Sequence, residues 1–150
     1  MAAAIDPATL FQICNLGVLP AWLLLAIAPG WIGTQKIVHA IWIPSLLGAV
    51  YLVVFVTSPP PAEGASFASL EGVMLFFTSP YATLVGWVHY LAFDLFVGAW
   101  EVRDARRRDV PHLAVVPCLV FTLMLGPIGL LAYLALRFAL KRELSLVEIP

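Results

Sequence analysis

Charged residues divide this chain into long apolar blocks. No Asp, Glu, Lys or Arg occurs in 7–35, 37–62, 72–93 or 110–136, and the third block continues to Trp100 past a lone Asp94. An apolar helix crosses the hydrocarbon core of a bilayer in about 20 residues, so each block holds one crossing. The pattern predicts spans at about 10–28, 37–56, 81–102 and 113–136. This is an all-α integral membrane protein, a four-transmembrane-helix bundle forming a single domain over 1–150.

Local punctuation refines these elements. Pro29-Gly30 closes span one and the run Thr57-Ser58-Pro59-Pro60-Pro61 closes span two, because consecutive prolines remove backbone donors. Pro20, Pro44, Pro117 and Pro127 fall inside spans and predict kinks. Between spans two and three, Ser69 to Pro80 is too apolar for a solvated linker and too short to cross. A short interfacial helix over about 70–78, capped at Ser69, fits it.

Composition agrees with a lipid environment: 62% of residues are hydrophobic and 11% charged, with mean hydropathy +0.98. The net charge of −1 argues against nucleic acid as a partner. With four crossings, Lys36, Arg103, Arg106, Arg107 and Arg108 share one side, against Arg137, Lys141 and Arg142 on the other. The positive-inside rule then makes the short loops cytoplasmic and leaves both termini outside. The first residues lack a basic n-region, so no cleaved signal is expected. Cys14 and Cys118 lie inside spans and read as small apolar residues.

The chemistry concentrates on span three. A charged Asp at the centre of a membrane helix costs about 2.5–3.5 kcal/mol on insertion scales, so Asp94 is a functional-site candidate. Trp87, Tyr90, Asp94, Gly98 and Glu101 share one helical face. Gly98 leaves a hollow there for a backbone or a flat apolar ligand. His89 is rotated by about 140° from Asp94. His39, on the antiparallel span two, lies at the depth of Gly98 to Glu101, and Asn15 of span one lies near the depth of His89. An acid/base cluster of Asp94, Glu101, His39 and His89 is the expected catalytic set. Its alternative is polar glue between helices. Asp104 and His112 sit near a loop and read as interfacial, and the arginine cluster as a topology signal or lipid-headgroup contact.

Phosphate loops, nucleophile elbows, CxxC pairs and HExxH helices do not occur in the sequence. His39, His89, Asp94 and Glu101 lack the i, i+3 or i+4 spacing of two ligands on one helical face, so no metal is expected. No haem or other cofactor is expected either.

The run Trp87-Val88-His89-Tyr90-Leu91-Ala92-Phe93-Asp94-Leu95-Phe96-Val97-Gly98, preceded by Leu75-Phe76-Phe77-Thr78-Ser79-Pro80 and followed by Gly126-Pro127-Ile128-Gly129-Leu130-Leu131, resembles the abscisic-acid-deficient-four-like family. Its plant members are neoxanthin synthases of plastid membranes. The resemblance implies a role in carotenoid biosynthesis, an isomerisation in which an epoxide opens and an allene forms, without redox change. His89, Tyr90, Asp94 and Gly98 carry over. This chain shows no plastid transit sequence, so a bacterial inner membrane is the expected location.

The expected substrate is a carotenoid or another isoprenoid, lined by Tyr90, Trp87, Phe93, Gly98, Trp42 and Asn15, with membrane lipid and a possible second copy as further partners. The alternative is a non-enzymatic carotenoid-binding or membrane assembly protein.

Overall fold

A computed structural model of the chain describes residues 6–147, whose regular secondary structure is entirely α-helical. The first candidate crossing is a pair of consecutive segments, α1 (Pro7–Gly17) and α2 (Leu19–Ile27). Asp6 caps α1 by accepting from the Thr9 amide at 2.9 Å. The interruption falls at Val18, where Pro20 supplies no amide to continue the ladder. Next come α3 (Ile32–Ile37) and α4 (Trp42–Thr57). Residues 38–41 between them are not helical, so the second span breaks near His39, and Pro44 sits in the first turn of α4.

A short helix, α5 (Leu70–Phe76), follows the proline run. The Ser69 hydroxyl accepts from the Gly72 amide at 3.1 Å, the cap expected from sequence. The central element is α6 (Pro80–Arg107), 28 residues long. At 1.5 Å per residue it measures about 42 Å, enough to cross a bilayer and project beyond it. Three stretches, Pro7–Ile27, Ile32–Thr57 and Pro80–Arg107, are long and apolar enough to cross a membrane.

The expected fourth span is instead a hairpin. α7 (His112–Leu125) ends at Gly126, whose φ of +46° no L side chain adopts readily, and α8 (Pro127–Lys141) begins at a proline. Each helix is about 21–23 Å long, short of the ~30 Å a crossing requires. α8 turns back along α7. A Cβ on Gly129 would lie 2.0 Å from the Thr122 amide nitrogen, so only glycine allows this approach. The hairpin begins beside Arg108 and its far end returns there: Arg108 donates to the Ser145 carbonyl at 3.2 Å and pairs with Glu143.

This corrects the expected topology. The start of α1 lies towards the Pro80 end of α6, where Asn15 meets Trp87, whereas the residues after α8 lie at the Arg108 end. The two ends of the described chain are therefore on opposite sides, not the same side. All eight Lys and Arg residues gather at the Arg108 end, because Arg137, Lys141 and Arg142 join the other five.

Candidate functional site

The apolar seam of α6 buries Val88, Leu91, Leu95, Ala99 and Val102. This packing fixes the rotation of the helix and aims its polar residues at different neighbours. Asp94 points at the tip of the hairpin. A Cβ on Gly126 would lie 2.8 Å from its Oδ1 and 3.2 Å from its Oδ2, so the carboxylate occupies space that any other residue at the tip would claim. It also lies beside the first turn of α8. Its Oδ2 is buried with no hydrogen-bond partner among the described residues.

Tyr90, one turn earlier, lies beside the Asp94 carboxylate and donates its hydroxyl to the Leu123 carbonyl at 3.0 Å. Trp87 packs on Tyr90, with ring centroids 5.2 Å apart, and on Phe11 at 5.3 Å. Trp87 Nε1 donates to Asn15 Oδ1 at 3.1 Å, which joins α1 to this cluster. Phe11, Asn15, Trp87, Tyr90 and Asp94 thus form one continuous surface between α1, α6 and the hairpin tip.

Glu101 shares the face of Asp94 but meets a different partner. It is fully buried, and the Thr122 hydroxyl donates to its Oε1 at 2.9 Å, with Oε2 at 3.1 Å. His39 does reach the depth expected of it, yet it packs on another side of α6. Arg103 Nη1 lies 3.1 Å from its Nδ1. Residues 101 and 103 are rotated by about 200° on a helix, so His39 and Glu101 do not meet. His89 is exposed; its ring stacks on Phe93 at 4.5 Å and lies 6.3 Å from that of Tyr51, away from Asp94. The four expected acid/base residues therefore do not converge.

The lining residues separate similarly. Phe93 and Trp42 are 58% and 69% exposed and face outward. The hollow at Gly98 is filled by the indole of Trp22, which a Cβ there would meet at 2.6 Å. Among the described residues no group of His, Cys, Asp or Glu is arranged to hold a metal ion.

The strongest polar cluster escaped the sequence reading. Asp104, expected at the interface, is 1% exposed. Tyr133 donates to its Oδ2 at 2.6 Å, Arg137 Nη1 to the same oxygen at 3.1 Å, and Arg108 Nε to Oδ1 at 2.9 Å. Glu143 and Asp104 together push Arg108 above the ordinary arginine range. His112, also expected near the interface, donates from Nε2 to the Ala26 carbonyl at 2.9 Å and so closes the end of α2. A hint of the cluster lay in the sequence: Tyr133 and Arg137 are four residues apart, on one helical face.

Fold and site together define a helical protein with three candidate membrane spans, a hairpin abutting the longest span, and carboxylates buried between them. The family model described as ABA DEFICIENT 4-like (ABA4-like) matches residues 9–133, from α1 into α8. The chain belongs to this family. No curated protein and no solved structure matches it.

Proposed function

We propose that this chain is an intramembrane carotenoid- or isoprenoid-modifying protein of the neoxanthin-synthase type, isomerising a lipid-soluble polyene with Asp94 as the proton-transferring group. The observation that carries the reading is the Asp94 carboxylate, held at the hairpin tip with one oxygen unpartnered. Family membership supports the substrate class.

Opening an epoxide to an allene needs two proton movements and no net oxidation. The epoxide oxygen takes a proton as its C–O bond breaks, a neighbouring polyene carbon gives one up, and that C–H electron pair becomes the new cumulated double bond. A carboxyl starting in its protonated form performs both, delivering from one oxygen and receiving at the other. Trp87 is 37% exposed, and Tyr90, one turn along, touches the hairpin at the Leu123 carbonyl. A polyene reaches Asp94 along this open face, from the side of the bilayer. The eight Lys and Arg residues at one end orient the Arg106–Arg108 turn towards the cytoplasm.

A second reading, non-enzymatic carotenoid binding or membrane assembly, draws on Glu101 and Asp104, which show this fold using buried carboxylates as fasteners. Purified protein, incubated in lipid with an epoxy-carotenoid, separates the readings by product analysis. Under the first, Asp94→Asn folds, binds pigment and loses about 10²–10⁴ in rate. Wild-type turnover by that variant, or binding without any product from the native protein, favours the second.

A further inference from the structure

Between α2 and α7 lies a groove of about 250 Å³ in which every lining residue is apolar. Leu19, Leu23 and Ala26 of α2 face Val120 and Leu123 of α7 there, and Trp22, whose indole fills the hollow at Gly98, lines it as well. We propose that this groove holds the polyene chain of the substrate while its epoxide end lies at Asp94, an inference that rests on the reaction proposed above.

The groove adjoins Asp94 through both of that residue's neighbours on its face of α6. Tyr90, one turn before, donates to the Leu123 carbonyl, and Gly98, one turn after, receives Trp22. Leu123 and Trp22 are both groove residues, so the Leu19–Leu123 end lies beside Asp94. Leu19 is also one turn beyond Asn15, so the surface of Phe11, Asn15, Trp87 and Tyr90 continues into the groove. From Leu19 to Ala26 the groove follows α2 for about 10 Å.

The closed end selects the occupant. The acyl chain of a phospholipid hangs from a headgroup at the Arg108 end and would enter past Ala26. There His112 Nε2 donates to the Ala26 carbonyl at 2.9 Å and bridges α7 to α2 across the end of the groove. A chain without a headgroup enters from the other end, at the depth of Asp94. A polyene that is apolar along its length and polar only at its epoxide end matches a groove that is apolar throughout and finishes beside a carboxylate. Its stiff conjugated chain also loses little freedom on lying straight along α2, and its π-system has the Trp22 indole to pack on.

The test titrates full-length protein in a neutral detergent with an epoxy-carotenoid and with a truncated analogue that keeps the epoxide end and little of the chain, binding being read by native mass spectrometry. Val120 and Leu23 are exposed at the rim, so each has room for a larger side chain. Val120→Trp and Leu23→Trp fill the groove from opposite walls, and either serves if the other fails to fold. Each is expected to weaken the full-length ligand about tenfold or more, the worth of about two buried methylenes, and to leave the truncated analogue unchanged. Leu52→Trp, exposed on α4 and outside the groove, should change neither.

Three outcomes overturn the groove. Equal weakening of the truncated analogue means damage at the Asp94 end. Unchanged binding of the full-length ligand means that the chain lies elsewhere. A co-purified phospholipid lost from Val120→Trp but kept by Leu52→Trp means a seat for acyl chains. Turnover separates the groove from the reaction: unchanged binding with product still formed rejects the groove alone, whereas groove-dependent binding with no product from the native protein rejects the reaction alone.

Discussion

Arg137 and Asp104, 2% and 1% exposed, form an ion pair of 3.1 Å that ties the last turns of α8 to the last turns of α6. The pair can form only if α8 returns to the side where α7 began.

Topology is therefore directly testable. A reporter fused after residue 150 should read the same side as one inserted among Arg106–Arg108, and a reporter at residue 1 the opposite side. A carboxy-terminal reporter on the side of residue 1 would restore a fourth crossing and reject the hairpin.

The Asp104 cluster should dominate stability. Removing one partner of a buried ion pair costs about 3–5 kcal/mol, because the other charge is left unpaired. Arg137→Met, which leaves Asp104 with the Tyr133 hydroxyl and the Arg108 guanidinium on its other oxygen, should lower the unfolding temperature more than Tyr133→Phe, which forfeits one hydrogen bond worth about 0.5–3 kcal/mol. Thermal unfolding in detergent ranks them; the reverse order would show that Arg108 alone neutralises Asp104.

Gly129 and Gly126 should both resist alanine, for different reasons. At Gly129 the added Cβ would lie 2.0 Å from Thr122 backbone, which nothing short of separating α7 from α8 relieves. At Gly126 the added Cβ would lie 2.8 Å from a side-chain oxygen that can move, at a φ of +46°. Gly129→Ala is expected to abolish folded protein on size-exclusion chromatography. Gly126→Ala should fold, with its loss concentrated in turnover because Asp94 is displaced. Monodisperse Gly129→Ala protein would show that the hairpin is looser than described.

Glu101 is expected to be dispensable for chemistry. Glu101→Gln keeps a carbonyl oxygen to accept from Thr122, so it should fold and turn over like the parent protein, in contrast to Asp94→Asn. A rate loss as large as that of Asp94→Asn would join Glu101 to the reacting group.

The sequence exposed the three long crossings because their ends are marked by charge or proline, and the Ser69 cap because its geometry is local. It hid the hairpin because hydropathy is blind to direction: Gly126-Pro127 interrupts an apolar run in the same way whether the helix kinks or reverses. It located His39 in depth but not around the axis of α6, since a shift of two residues turns a side chain by about 200°. Asp104 looked wet because it neighbours a basic turn, and its partners Tyr133 and Arg137 come within reach only after the chain has doubled back.

That reversal at Gly126 also simplifies how the protein enters its membrane. With the Arg108 end cytoplasmic, as proposed, neither α7 nor α8 has to pass through a translocation channel. Among the described residues, the start of α1 and the connection from α4 to α6 would then lie on the far side. That connection carries Glu63 and Glu71 and not a single Lys or Arg. The hairpin can then wedge in sideways from the cytoplasm once α6 is seated, so an element made after α6 is the one that closes over Asp94.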